Sequence, residues 1–288
     1  MPILALAAVL LAALTHATWN YFAKRAAGSR HFVWLYSLGS LVLYAPVVLW
    51  IAIVERPHFT TAHWLALVAT GVLHTAYSML LQAGYRVSDL SLVYPIARGT
   101  GPLLSFIAAT VFLKEPANSL SVLGVVLIVS GILLVSGLTG SSHKAPRAGV
   151  ALGLVNGFFI AGYTINDGWA VKALMISPFV IDFVGSAFRV VLLSPMVARD
   201  GAGVLREARE FRLPIAVVAL LGPVGYILVL FAMQVAPIGH VAPARELSTL
   251  VGSYFGATLL KERVTPARAL GAVLIVVGVS SLALTRPQ

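Results

Sequence analysis

Two arginines lie well inside long apolar segments of the chain. Arg98 and Arg245 each stand about seven residues into such a segment, or on the order of 10 Å along a helix. A charged side chain at that depth in a membrane is costly, so it faces the protein interior or a water-filled cavity. A guanidinium there can bind a carboxylate or a phosphate through two parallel hydrogen bonds. The pair predicts a site for an anionic group, with lipid phosphate contact or pairing with Glu246 as alternatives.

Polar and aromatic side chains in other apolar segments are further candidates for the same site. His16 and Asn20 are four residues apart, which places them on one face of a helix beside Trp19. Asn166, near Tyr163, occupies the matching region of the second half. The two amides could bind a substrate amine or carboxylate, or they could join helices to each other. Further aromatic candidates, which could instead form an interfacial belt, are Tyr77, Tyr94 and Tyr226.

Three acidic residues also lie at membrane depth, namely Asp167, Asp182 and Glu246. A carboxylate held in such a place can bind and release a proton, so each is a candidate coupling residue. Structural ion pairing is the alternative for all three.

These residues are carried by long apolar segments. The chain of 288 residues is 59% hydrophobic and only 10% charged, whereas soluble proteins are about 25% charged. A membrane-spanning helix needs about 20 apolar residues, and we predict ten such stretches. They cover 3–22, 32–54, 62–84, 91–113, 119–139, 148–170, 177–198, 213–233, 239–260 and 266–285. Because several are apolar on all sides, the fold class is an all-α integral membrane protein rather than a β-barrel.

The chain contains an internal repeat. A shift of 147 residues aligns Ala97-Arg98 with Ala244-Arg245, and Leu113-Lys114-Glu115 with Leu260-Lys261-Glu262. The repeat divides the chain into residues 1–140, a linker at 141–147, and residues 148–288, with five predicted helices in each half. Because five is odd, the second half enters the membrane in the opposite orientation, as in many secondary transporters. Pro95 and Pro243, just before the two arginines, predict broken or kinked helices.

These motifs resemble the EamA family of the drug/metabolite transporter superfamily. The resemblance rests on the two Leu-Lys-Glu motifs, on the glycine-rich helices that follow each of them, and on His16 to Asn20 in the first segment. It implies an inner-membrane transporter, commonly an exporter of amino acids or related metabolites. Small multidrug pumps of that superfamily use a glutamate in the first helix. This chain has no acid there, which argues against that mechanism.

The basic residues also predict the orientation in the membrane. Loops on the side of the termini contain Arg56, Lys114, Lys172 and Arg286, whereas most other basic residues lie in loops on the opposite side. Lys and Arg are enriched in cytoplasmic loops, so both termini are predicted to be non-cytoplasmic. The polar segment Arg199–Arg212 has apolar residues at near-helical spacing and is predicted to be a short helix on the membrane surface.

The sequence lacks the motifs of several other functions. It has no cysteine and no nucleophile, zinc-protease or phosphate-loop motif, so we predict no catalytic residue, no metal site, no cofactor and no ATP-driven step. Its net charge of +10 lies in loops between apolar segments, so nucleic acid is not a predicted partner. The predicted partners are a small-molecule substrate, the lipid bilayer and protons, for a monomer or homodimer.

The resulting prediction is a secondary transporter of small polar metabolites, with amino-acid export by alternating access as the leading function. One alternative is an importer or exchanger of an anionic metabolite. An alternative of another class is a non-transporting scaffold or an intramembrane enzyme.

Overall fold

The computed structural model describes residues 1–26, 29, 31–87, 90–136, 147–259 and 265–285. Regular structure in these ranges is entirely helical. Most of the predicted linker at 141–147 lies outside them. In chain order the helices are α1 (Ile3–Arg25), α2 (Phe32–Val54), α3 (Thr61–Val87), α4 (Leu90–Phe112), α5 (Ser119–Val135), α6 (Arg147–Lys172), α7 (Pro178–Ala198), α8 (Gly201–Glu210), α9 (Arg212–Val235), α10 (Ile238–Ala244), α11 (Leu247–Leu259) and α12 (Pro266–Leu284).

Seven helices in the described ranges are long and apolar enough to cross a membrane: α1, α2, α3, α6, α7, α9 and α12. This establishes a multi-pass, all-α membrane protein. The other three predicted segments are helical but do not meet the same criteria. The apolar parts described for α4 and α5 are shorter, at Ile96–Phe112 and Ser119–Val135. The segment predicted at 239–260 is divided into α10 and α11.

The division between α10 and α11 lies at one of the two predicted breaks. Pro243 is in the last turn of α10, where it has no N–H to donate to the carbonyl of Gly239. Arg245 caps that helix, and α11 begins at Leu247. The corresponding segment of the first half behaves differently, because α4 continues through Arg98 without interruption. The predicted break therefore occurs in the second half, whereas the helix of the first half is continuous.

A short helix occupies the polar segment between α7 and α9, as predicted. Asp200 caps α8 by accepting a hydrogen bond from the N–H of Gly203 at 3.0 Å. The carboxylate of Glu207 accepts hydrogen bonds from the N–H of His31, at 2.9 Å, and from the hydroxyl of Ser29. Since His31 immediately precedes α2, Glu207 fixes α8 to the start of that helix.

The helices of the two halves are interleaved. The most extensive contacts join α1 to α9 and α11, α4 to α6 and α10, α3 to α6 and α7, α2 to α7 and α9, and α5 to α12. Each of these pairs takes one helix from each half. Exchanging the halves maps the α1–α9 contact onto the α6–α3 contact, and the α2–α9 contact onto the α7–α3 contact. The halves therefore enclose a shared interior, and neither forms a separate core.

Glycines allow α5 and α12 to approach each other very closely. A Cβ atom on Gly131 would lie 2.6 Å from the carbonyl oxygen of Gly271, and one on Gly278 would lie 2.6 Å from that of Gly124. Small residues of this kind let membrane helices pack backbone against backbone.

Candidate functional site

Arg98, Arg245 and Glu246 form a charged group in the interior shared by the two halves. The Arg98 guanidinium donates to Glu246 Oε1 at 3.0 Å, and Arg245 Nε lies 3.8 Å from the same oxygen. Relative exposures are 9% for Arg98, 2% for Arg245 and 0% for Glu246, so this charge is held away from solvent. Glu246 is thus held between two buried guanidinium groups.

Several hydrogen-bond donors near this group have no acceptor among the described residues. They are Nε and Nη2 of Arg245 and Nε2 of His16, all of them buried. Trp19 Nε1 donates to His16 Nδ1 at 3.0 Å, so Nδ1 is the unprotonated nitrogen and Nε2 of the neutral ring carries the hydrogen. His16 also lies within electrostatic range of both arginines. The unsatisfied groups are therefore all donors, and the ligand that would complete them is an acceptor such as a carboxylate.

Asp167 is the centre of a second polar cluster. It is 0% exposed, and its Oδ2 is bonded by His74 Nε2 at 2.8 Å and by the Tyr226 hydroxyl at 2.6 Å. Its Oδ1 accepts from the hydroxyl of Thr70 and from the amide of Asn166, the latter at 3.0 Å. Four donors from α3, α6 and α9 thus hold one carboxylate, and one of them is the imidazole of His74.

Tyr163 lies between the two clusters. Its ring stacks on His74 with centroids 4.2 Å apart, and the central guanidinium carbon of Arg245 lies 6.0 Å from its centroid. Tyr77 and Tyr226 contact the same ring at 5.6 and 6.1 Å between centroids. The predicted residues Tyr77, Tyr163, Tyr226, Asp167 and Arg245 are therefore brought together by α3, α6, α9 and the α10–α11 turn.

The two asparagines both bond to groups of the protein. Asn20 donates to the backbone carbonyl of His16 in its own helix at 2.7 Å. Asn166 donates to the Ala66 carbonyl and to the Thr70 hydroxyl, both at 3.0 Å, as well as to Asp167. Asn166 therefore joins α6 to α3, which is one of the two roles that the sequence left open for it.

Two further candidates remain. Asp182 is in α7, and no hydrogen bond joins it to another residue of the described chain, but it lies within electrostatic range of Arg189, His74 and Asp167. The backbone of Tyr94 belongs to α4, but its side chain lies outside the described residues.

Sequence reasoning missed Thr70. It stands four residues before His74, so both face the same side of α3, and that spacing was the available signal. Thr alone in an apolar helix most often bonds its own backbone, and only its proximity to Asp167 and Asn166 in the fold distinguishes this one.

The chain is similar to known transporters along almost its entire length. The family model described as "EamA-like transporter family" matches residues 3–137 and again residues 147–284. This chain belongs to the EamA-like transporter family. The match in two copies agrees with the internal repeat and with membership of the drug/metabolite transporter superfamily.

The fold of this EamA-like protein is also found in solved structures. One, described as "Crystal structure of protein", has a TM-score of 0.65 at 16% sequence identity, over 96% of this chain and 98% of that chain. The two share the fold. No curated protein matches the sequence significantly.

Proposed function

We propose that this EamA-like protein is a secondary transporter of small polar metabolites in the inner membrane, and that amino-acid export is its function. The observation that carries the proposal is the set of buried donors on Arg245 and His16 that have no acceptor in the described chain. A substrate carboxylate would accept hydrogen bonds from these donors. Unpaired buried polar groups are rare in proteins and call for such an explanation.

The position of these donors suits alternating access. Arg245 lies at the turn between two half-helices, and broken helices of this kind commonly form transporter substrate sites near the bilayer midplane. We propose ten membrane crossings in two inverted halves, with α10 and α11 together as the ninth. Since the strongest helix contacts join one half to the other, a change in their packing would reach the site directly.

Asp167 and His74 are the proposed coupling pair. Of the three candidate acids, Glu246 is ion-paired with Arg98. Asp167 instead contacts the imidazole of His74 at 2.8 Å, and a carboxylate–imidazole pair can share a proton between its partners. Tyr163 stacks on His74 and lies under Arg245, which gives a physical connection between proton binding and substrate binding.

Counterflow in proteoliposomes tests the substrate site. The wild-type protein, loaded with unlabelled amino acids, is expected to accumulate at least one labelled amino acid from a panel. Arg245→Lys keeps the charge but loses the planar fork of donors, so we expect counterflow to fall by about tenfold or more. The matched control is Arg209→Lys, an exposed arginine of α8, which should leave counterflow unchanged. Equal rates in the two variants, or no counterflow of any small solute, would reject the proposed site.

Exchange of an anionic metabolite is the second candidate, favoured by the two buried arginines of the site. The same counterflow assay distinguishes the two. Amino-acid transport predicts counterflow of labelled zwitterionic amino acids, whereas the second candidate predicts counterflow of carboxylates or phosphates that have no amino group.

A further inference from the structure

A carboxylate from the first half holds the start of α10 on the membrane face that carries both termini. Glu115 Oε1 accepts from the N–H of Ile238 at 2.8 Å, and its Oε2 accepts from the N–H of Gly239 at 2.9 Å. These are two of the N–H groups that a helix leaves unsatisfied at its first turn. An ionised acceptor makes such bonds stronger than neutral ones.

Lys172 ties the same carboxylate to the second half. Its ammonium group donates to Glu115 Oε1 and to the carbonyl of Ala236, both at 3.1 Å. We call this group of Glu115, Lys172 and the N–H groups of Ile238 and Gly239 the Glu115 clamp. It joins the end of α4, the end of α6 and the α9–α10 connection.

Local backbone structure fixes both charged residues of the clamp. Lys114 adopts a left-handed conformation with φ of 57°, and the N–H of Glu115 donates to the Ala109 carbonyl. The end of α6 is built alike, with Met175 at φ of 56° and the N–H of Ile176 bonded to the Ala170 carbonyl. In both places a helix ends at a residue other than glycine in the left-handed conformation. These defined turns fix the positions from which the side chains of Glu115 and Lys172 extend.

The clamp lies between an open hollow and the buried site. A hollow of about 300 Å³ is lined by residues that include Met1, Glu115, Lys172, Pro237 and Thr285. On the inner side, α10 is only seven residues long and ends at Arg245. Any movement of its first turn is therefore transmitted to the turn that carries Arg245 and Glu246.

The closed arrangement also leaves polar atoms unsatisfied in the first turn of α10. His240 is 3% exposed, and within the described part of the chain neither of its ring nitrogens has a hydrogen-bond partner. Water entering from the hollow would satisfy both nitrogens. Hydration of His240 would therefore offset part of the free energy lost when the hydrogen bonds of the clamp are broken. Such compensation favours a contact that can open and close.

We propose that the Glu115 clamp is the gate of the transporter on the face of the termini, and that Glu115 and Lys172 act by positioning α10. While the clamp is formed, α10 separates the hollow from the arginine group. When Glu115 releases the N–H groups of Ile238 and Gly239, α10 moves and the site opens to the hollow. This inference rests on the proposed transport function. It adds the contact that controls access to the site from the face of the termini.

Thiol accessibility tests the gate, and the absence of native cysteine makes single-cysteine reporters clean. Thr164→Cys is a suitable reporter because Thr164 is 1% exposed and lies one turn inward from Gly168, which packs against Ile238. A membrane-impermeant maleimide is added to each side of the membrane separately. We expect slow labelling in the otherwise wild-type protein. Glu115→Gln should accelerate labelling about tenfold from the side of the termini only, because it removes the ion pair and one charge-assisted bond.

Matched variants separate the gate from general loosening. Lys172→Met keeps both bonds to α10 and should have a smaller effect than Glu115→Gln. Glu210→Gln, an exposed acid of α8, should have none. A second reporter, Ser40→Cys, is buried between α2 and α9 and should stay protected in every variant.

The gate is rejected if the cysteine of Thr164→Cys is labelled at the same rate in the Glu115→Gln and Glu210→Gln backgrounds. It is also rejected if Glu115→Gln accelerates labelling of Ser40→Cys as much as labelling of Thr164→Cys. Because labelling requires no substrate, this result is independent of the flux measurements. If Glu115→Gln accelerates labelling as expected but the protein shows no counterflow, the transport proposal is wrong and the opening of the clamp is retained.

Discussion

Glu246 and Asp167 are both carboxylates with no exposed surface, but their neighbours differ in kind. Glu246 is bonded to the permanently charged Arg98, so removing its charge would break a buried ion pair. Asp167 is surrounded by hydroxyl groups, an amide and the imidazole of His74, all of which can adjust to a change in its protonation. The first arrangement suits a structural charge, and the second suits a group that changes charge during a cycle.

Asp167→Asn should therefore separate coupling from exchange. The amide keeps the size of the side chain but cannot carry a proton, so accumulation driven by a pH gradient should fall by about tenfold or more. Counterflow, which needs no net proton movement, should continue. Measuring both in the same proteoliposomes checks the prediction.

Asp182→Asn is the matched control, since Asp182 also lies within a helix of the membrane but makes no hydrogen bond in the described chain. It should retain accumulation driven by the pH gradient. If Asp182→Asn abolishes that accumulation and Asp167→Asn preserves it, the coupling roles are reversed.

At the level of elements, apolar length predicted the helices well but did not predict what joins them. Stretches of about 20 apolar residues are a local property of the sequence, and the observed helix at 32–54 has the predicted bounds. The pairing of Arg98 with Glu246 joins residues 148 positions apart. From the sequence alone, Arg245 was the obvious partner for Glu246 because it is adjacent. Only the packing of α10 on α4 brings Arg98 nearer.

The prolines show the same limit. Pro243 ends α10, whereas Pro95 lies in a helix that continues to Phe112. A proline removes one backbone hydrogen bond wherever it stands, but neighbouring helices can compensate for the loss. Sequence therefore identified both places where a break was possible, and tertiary contacts decided which one occurs.

The contact between α5 and α12 gives a prediction at this scale. Gly131→Ala would place a Cβ atom 2.6 Å from the Gly271 carbonyl oxygen, which is backbone and cannot move without displacing α12. Overpacking of this kind costs about 1–3 kcal/mol, so the variant should unfold at a lower temperature in detergent.

Gly252→Ala in α11 is the control, since no atom lies within 4 Å of the added Cβ. It should leave the unfolding temperature unchanged or raise it slightly, because alanine favours helix over glycine. If both substitutions lower the unfolding temperature equally, close packing of α5 on α12 is not the cause of the destabilisation.

In the whole molecule, the two ends of the chain meet on one face. The Met1 ammonium group donates to the carbonyl of Ala283 at 2.6 Å, and Met1 and Thr285 line the same hollow. Ends on one face require an even number of crossings. Seven helices meet the length and hydropathy criteria, so we expect α4, α5 and the α10–α11 pair to supply the remaining three. Five crossings in each half then follow.

Tags at two positions test this topology as a whole. Five crossings per half would place the linker at 141–147 on the face opposite the C terminus, and the basic loop residues predict that the linker face is cytoplasmic. A C-terminal alkaline phosphatase fusion should therefore be active and a C-terminal green fluorescent protein fusion dark. An epitope inserted in the linker should be accessible only from the cytoplasm. If the linker and the C terminus lie on the same side of the membrane, the halves are not inverted. If they lie on opposite sides but the C terminus is cytoplasmic, the halves are inverted and only the predicted orientation is wrong.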